Sequence, residues 1–449
     1  MATSIASSSP RGSLFLGNLP DLMRDRTGFL VRCAREHGDV VPLRLGPKRV
    51  VLLSNPAHIE TVLVTQSRRF VKPYVLRTSR VGLSVAPTSD GDIWQRPKLA
   101  QSAFHRARIA GYSAEMVAAT ERMLDSWQDG ETRDILPEMM QLTLTIVAKT
   151  LFGADVTGQA AQVGAALSTV MDAFVHRLNQ LFLIPDWLPT PTNVRLRRAL
   201  RALDGMMDRV ICEGLANGPH SGGLLAMLHT PGGTEYVDVA DRRLRDEALT
   251  FFLAGHETVA LALTWAWYLL ARHPEAEAAL HAELATELAG RTPTAANRAQ
   301  LPYTEMVILE ALRLYPPLWV MARVAREDVS LGGHAIPAGT LLLMSQWVSH
   351  RDPTVFVEPD AFQPERWADG LEKRLPRFAY FPFGGGTRGC IGSGFAMTEA
   401  IVLLATIAQR FALSLAPGQV VTPQPSITLR PAHGLRLRLA RRPASALGA

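Results

Sequence analysis

The chain has 449 residues, of which 47% are hydrophobic and 20% charged, and it contains three cysteines. That apolar content excludes a disordered protein, and the length with so few cysteines excludes a small disulfide scaffold. Lys and Arg total 47 against 41 Asp and Glu, a formal charge of +6 with no clustered basic stripe, so no nucleic-acid partner is expected.

Residues 1–21 carry neither a charged start with a long apolar run nor a membrane span. With three cysteines in so long a chain, the expected compartment is the reducing cytoplasm. Residues 39–53 alternate apolar and polar around Gly46-Pro47, which predicts a hairpin. Helical periodicity then dominates, over residues 114–127, 142–152, 164–183, 195–214, 274–288 and 303–314. Residues 248–271 are nearly apolar and as a helix would run about 36 Å, long enough to cross a bilayer. His256 and Glu257 fall near the centre of this run, where a membrane would penalise them, so a helix through the protein core is expected.

Short strands are predicted again over 329–343, and a last hairpin over 427–439. No internal repeat and no linker-like tract interrupts the chain, so residues 1–449 read as one domain, with disordered ends at about 1–10 and 441–449. The fold class is mainly α with small β sheets, lacking the strand-helix alternation of a doubly wound fold. No Asp or Glu follows Glu399, whereas Arg410, Arg430, Arg436, Arg438, Arg441 and Arg442 do. Such a run reads as a solvated face or as a docking surface for an acidic partner.

The densest signal is FPFGGGTRGCIGSG at 381–394, with six glycines in fourteen residues between an aromatic strand-like run and a helical pattern. Gly384, Gly386 and Gly389 satisfy GxGxxG, but Pro382 sits in the strand position and no acid lies about twenty residues on, so a dinucleotide site is rejected. A phosphate P-loop fails because Cys390-Ile391 stands where Lys-Ser/Thr is needed. The remaining reading centres on Cys390, in a loop whose glycines let a large flat ligand pack on the backbone.

Phe383-x-x-Gly386-x-Arg388-x-Cys390-x-Gly392 resembles the haem-thiolate loop of cytochromes P450 at every defining position. The resemblance implies a cytochrome P450 fold and haem b. In it Cys390 is the iron ligand, Arg388 reaches a haem propionate and Phe383 shields the sulfur. Such a thiolate favours O–O cleavage, and amides opening the next helix can stabilise its charge. Cys33 and Cys212 are then spectators.

The likeness continues along the chain in the family's order. Ala254-Gly255-His256-Glu257-Thr258 resembles the oxygen-activating element; a zinc HExxH is rejected because Ala260 stands at the second His. The resemblance implies that Thr258 hydrogen-bonds bound oxygen, that Glu257 relays protons and that Gly255 makes room beside the haem. A helix-interior Thr bonded back to a carbonyl is the structural alternative for Thr258. Glu310 and Arg313 match ExxR and share a helix face at i,i+3. With Arg366 of FQPERW they are expected to lock the loop before Cys390. Lys98 in Trp94-x-x-x-Lys98, despite Pro97, and Arg323 after Pro316-Pro317 are the further cations expected on the haem carboxylates.

Substrate contacts are implied for Phe251, Ala254, Leu318, Val320 and Ile427, and for segments 70–92 and 174–188, where Arg77 and Arg80 would more simply face solvent. Their composition implies a small apolar substrate. The expected reaction is monooxygenation with O2 and electrons from a separate ferredoxin or flavodoxin and its reductase, because too little chain follows the last major helix for a fused one. Arg96, Arg106 and Arg108 are the expected docking cations. A peroxide-driven or rearranging enzyme and a non-catalytic haem sensor are the alternatives. The sequence wording is more similar to bacterial members of the fatty-acid and terpenoid hydroxylating kind than to the camphor type, which implies a terpenoid, acyl or polyketide substrate of secondary metabolism; a monomer is expected.

Overall fold

The computed structural model describes residues 9–73, 103–156, 158, 160–179, 188–216 and 242–443. The fold is mainly helical with four small sheets among the described residues. Two compact units interleave along the chain, one formed by Met1–Arg77, Leu309–Cys390 and Gln424–Arg430, the other by Thr78–Ile308, Ile391–Pro423 and Pro431–Ala449.

The first unit opens with three short helices, α1 (Leu19–Arg24), α2 (Arg26–His37) and α3 (Pro56–Glu60). Its centre is a five-stranded sheet in the order β1 (Val40–Leu45), β2 (Lys48–Leu53), β8 (Leu341–Met344), β5 (Met321–Ala325) and β3 (Phe70–Val71). The predicted hairpin is β1–β2, in antiparallel register from Val40 opposite Leu53 to Leu45 opposite Lys48. Its Gly46 has φ +59°, a left-handed turn conformation that glycine adopts without a Cβ penalty. One cluster of buried residues spans this sheet and includes Val51, Ile59, Phe70, Leu342, Met344, Phe378 and Phe381. The last two precede the glycine-rich loop, so the loop is anchored on the sheet core. The aromatic run itself is not a strand; a single bridge joins Arg377 and Tyr380, and Phe378 has φ +66°.

The second unit contains α4 (Arg106–Leu124), α5 (Ile135–Phe152), α6 (Ala160–Asn179), α7 (Pro191–Ala216), α8 (Arg242–Leu270), α9 (Pro274–Glu287) and α13 (Ser393–Arg410). Helix α10 (Pro302–Leu314) starts here and contributes Leu309–Leu314 to the first unit, which also holds the short α11 (Gln346–Ser349) and α12 (Leu371–Arg374). Helix α5 shows how local sequence sets an element. The Asp134 carboxylate accepts from the Leu136 amide at its start, and Gly153, left-handed at φ +69°, ends it. Helix α8 packs on α5, and every residue from Val259 to Leu270 is buried. Both α5 and α8 are long and apolar enough to span a membrane, but 61% and 67% of their apolar windows are buried inside the protein. This is the pattern of core helices.

Several boundaries differ from the sequence expectation. Residues 329–343 form a hairpin, β6 (Val329–Leu331) with β7 (His334–Ile336), followed by β8 in the larger sheet. The expected C-terminal hairpin is not formed. β11 (Leu429–Pro431) pairs with β10 (Pro423–Pro425), whereas β12 (Arg436–Arg441) lies between β4 (Thr132–Asp134) and β9 (Phe411–Leu415). Order therefore runs through Arg441, inside the expected tail. The terminal arginines also have local work: Arg410 pairs with Asp125, Arg441 lies over Phe411, and Arg442 donates to the Ala408 carbonyl.

Candidate active site

In the first unit, the glycine-rich loop turns at Gly386–Arg388, and the Cys390 amide donates to the Phe383 carbonyl at 2.9 Å. Gly386 has φ +70°, and a Cβ there would lie 2.0 Å from the Leu63 carbonyl oxygen, so only glycine fits. Phe383 and Arg388 are half-buried and Cys390 is exposed. The three cysteines thus differ physically. Burial pushes the Cys33 thiol up to about 12, which makes it inert. Cys212 is exposed on α7, and only Cys390 sits in a glycine loop beside an arginine.

The first unit also holds an ion network around the fully buried pair Glu310 and Arg313, with Arg366 at its edge. Glu310 and Arg313 pair through two bonds of 2.8 Å, and Arg366 Nε reaches Glu310 Oε1 at 2.9 Å. The Gln363 amide and the Trp367 indole also donate to Glu310. Arg313 spends its other donors on the carbonyls of His350, Pro359 and Ala361. The buried His350 ring accepts from the Phe381 amide at 3.0 Å, carrying the network to the residue two before Phe383. Acceptance at Nε2 needs a neutral ring, and burial, then Arg313 and Arg351, lowers its pKa to about 3. Glu310, Arg313 and Arg366 are brought together, and His350 is an additional member.

A second cationic group gathers on the sheet. Arg323, in β5, is buried and donates to the Ala322 carbonyl. Val71 pairs with Val324, so Lys72, one residue beyond β3, stands across from Arg323. Burial, then Arg388, lowers Arg323 to about 10; burial, then Arg323 and Arg388, lowers Lys72 to about 8. Lys72 was not among the expected cations, because its place depends on strand register. Lys98, with Trp94 and Pro97, lies outside the described residues, as do Arg77, Arg80, Arg96 and most of 70–92 and 174–188.

In the second unit, α8 interrupts its burial along one stripe. Ala254 is exposed, and Phe251, Gly255 and Thr258 are half-buried, at spacings of three, four and seven. His256 and Glu257 face the interior. Thr258 donates to the Ala254 carbonyl at 2.8 Å, the back-bonded form, which leaves its oxygen free to accept. Gly255 also has a packing role that the motif did not announce: a Cβ there would come within 3.0 Å of the Val147 side chain, so it permits close packing of α8 on α5. Thr143 of α5 lies 2.9 Å from the His256 carbonyl oxygen. The unanticipated Phe104 contacts Phe251 and Phe395 with ring centroids at 6.2 and 6.1 Å, and a Cβ on Gly392 would touch it at 3.4 Å. Leu318, Val320 and Ile427 are half-buried in the first unit, where the Trp319 indole donates to the Ser426 carbonyl and ties their segments together.

The family model described as Cytochrome P450 matches residues 8–437. The chain belongs to the cytochrome P450 family. It is 38% identical over 399 residues to cyclooctatin synthase of Streptomyces melanosporofaciens, covering 88% of this chain and 87% of that protein. It is 34% identical to pentalenene oxygenase of Streptomyces avermitilis, covering 98% of both. The haem domain of cytochrome P450DA superposes with a TM-score of 0.87 at 25% identity over 99% of both chains. The retinoic acid-bound cyanobacterial CYP120A1 gives 0.83 at 26% over 97% of this chain and 98% of that one. This cytochrome P450 is a monooxygenase that uses O2, an organic substrate, a redox partner and a haem-thiolate cofactor. The residues present fit that cofactor. An accessible cysteine stands on glycine-lined backbone, and three mutually repelling cations, one buried, suit a ligand bearing two carboxylates.

Proposed function

We propose that this cytochrome P450 hydroxylates or epoxidises a small apolar terpenoid. The observation that carries this reading is the stripe on α8, where Phe251 and Ala254 offer an apolar surface that ends at the Thr258 hydroxyl. Within the first unit, Leu318, Val320 and Ile427 are half-buried apolar side chains of the same chemical character. The names of the relatives support the substrate class, since cyclooctatin synthase, cyclooctat-9-en-7-ol 5-monooxygenase and pentalenene oxygenase act on terpenoids.

When bound, the haem supplies the iron that activates O2. Cys390 is its thiolate ligand, three residues before the positive N-terminal end of α13. Arg388, Arg323, Lys98 and Lys72 hold its carboxylates, and Phe383 and Gly392 shape the loop. Thr258, its proton given to Ala254, accepts a hydrogen bond from a proton-bearing oxygen in the pocket, and Glu257 passes protons from the interior side of α8. Glu310, Arg313 and Arg366 hold the loop and take no part in chemistry. Residues 1–449 work as one catalytic domain, as the family match across both units supports. The enzyme acts in the cytoplasm as a monomer. A separate ferredoxin or flavodoxin with its reductase delivers electrons near Arg106 and Arg108, which are exposed at the start of α4.

Titration of the ferric enzyme with cyclic terpene hydrocarbons, fatty acids and polyketide lactones tests the substrate class. A spin-state shift and a mono-oxygenated product confined to the terpenes are expected; a response to fatty acids alone would reject it. Thr258→Ala should consume NAD(P)H about tenfold faster than it forms product, and tight coupling in that variant would remove the proposed role of Thr258.

A further inference from the structure

Three consecutive large apolar side chains stand out in solvent at the N-terminal edge of the first unit. Leu14 is 80% exposed, Phe15 84% and Leu16 39%. They occupy the tip of a tight turn closed by reciprocal bonds between Ser13 and Gly17, of 2.8 and 2.9 Å. The turn is fastened to the β1–β2 hairpin. The Gly46 amide donates to the Leu16 carbonyl at 3.0 Å, and the Arg44 guanidinium donates to the carbonyls of Ser13 and Leu14. Gly17 has φ +61°, and a Cβ on it would meet the Arg44 carbonyl oxygen at 2.2 Å, so the close approach requires glycine. These contacts hold the apolar tip outward, on backbone fixed by the sheet.

The surroundings of the tip are basic. Arg11 precedes it and is exposed; Arg44 and Arg49 face each other across the hairpin, with Lys48 beside them, all three exposed. Residues 9–20 and 40–53 contain no Asp or Glu, the adjoining acids in sequence being Asp21 and Asp39. A projecting apolar wedge inside a collar of cations matches one environment closely. At the surface of an anionic bilayer, Leu and Phe enter the acyl boundary while Arg and Lys meet the lipid phosphates. A second copy of this chain fits poorly, because a two-fold contact through the tip would press two basic collars together. A three-residue convex tip is also too small for the roughly 800 Å² that a stable protein interface buries on each partner.

We propose that the Leu14–Leu16 tip and its basic collar form a docking surface for an anionic lipid bilayer. The enzyme rests on the membrane through this edge without spanning it. Docking does not depend on which substrate is oxidised, though an apolar substrate dissolved in the bilayer would be concentrated there.

Co-sedimentation of the haem-loaded enzyme with vesicles tests the surface, comparing equal mixtures of phosphatidylglycerol and phosphatidylcholine with phosphatidylcholine alone. The wild type should pellet with the anionic vesicles only, and added salt should release it. The Leu14→Ser/Phe15→Ser variant and the Lys48→Glu/Arg49→Glu variant should each lose about tenfold in partitioning. Both should keep the wild-type spectrum of the reduced CO complex, which shows that they are folded. No pelleting of the wild type, equal pelleting with neutral vesicles, or wild-type pelleting by both variants would overturn the proposal. So would a wild-type dimer on size exclusion that the Leu14→Ser/Phe15→Ser change abolishes while vesicle binding persists, which would assign the tip to self-association.

Discussion

Two groups of charged side chains in the first unit make an instructive pair. Around Glu310, opposite charges meet: two guanidinium groups, an indole and a backbone amide converge on one carboxylate, and Arg313 spends its remaining donors on carbonyls. Around Arg323, like charges meet: burial, then Arg388, lowers Arg323, and burial, then Arg323 and Arg388, lowers Lys72. In the first arrangement the carboxylate is paired and the guanidinium donors are met by the chain's own carbonyls, so it serves the fold. The second spends folding energy to hold positive charge in place, which is worthwhile only when an anionic ligand joins it.

The contrast predicts opposite responses to mutation. Arg313→Ala removes one of the two guanidinium partners of Glu310 in the core and should cost about 3–5 kcal/mol. Arg313→Lys should recover little of this, because an ammonium cannot match the paired geometry. Denaturant unfolding of the apoprotein measures both. Arg323→Gln should leave apoprotein stability unchanged or slightly raised, yet weaken haem retention about 10- to 100-fold, as read by transfer of haem to apomyoglobin. Equal losses of apoprotein stability in the two variants would erase the distinction.

His350 joins the Glu310 network to the cysteine loop, and its ring must stay neutral to accept from Phe381. Its folded pKa, about 3, lies below the ordinary histidine value of 6.5. As pH falls below 6.5 the unfolded chain takes up a proton that the folded chain refuses, so stability is lost progressively down to about pH 3. The loss from His350 at pH 5 should be about 2 kcal/mol, and His350→Asn should lack that part of the slope. His281, lowered by burial and by Arg442 to about 4, contributes in both proteins and cancels in the difference. The smallest effect belongs to Lys72→Ala. It should weaken haem retention about threefold to tenfold without changing apoprotein unfolding, since a flexible ammonium makes a single-point contact.

These groups also show what could be read from the sequence. Glu310 and Arg313 were legible because an i,i+3 spacing on a helix fixes which side chains meet, and the cysteine loop because so many glycines have few other uses. Lys72 was not legible, since its neighbourhood with Arg323 follows from the pairing of Val71 with Val324 over a separation that no local pattern encodes. The same physics defeated the expected C-terminal hairpin: Arg436 pairs with Asp134 and Leu439 with Leu413, so the alternation was real but the partners lay elsewhere. Gly255 was read from its motif as a haem-side residue, and its close approach to Val147 on α5 is a further constraint that only the packing shows. Helices α1 and α3 were missed because they are only six and five residues long, too short to show a helical period.

The identity of the thiolate ligand is tested most directly by the absorption spectrum of the reduced CO complex. Cys390→Ser is predicted to lose the red-shifted Soret band, while Cys33→Ser and Cys212→Ser keep it. A red-shifted band that survives in Cys390→Ser would contradict the assignment of Cys390 and, with it, the placement of haem on the glycine loop.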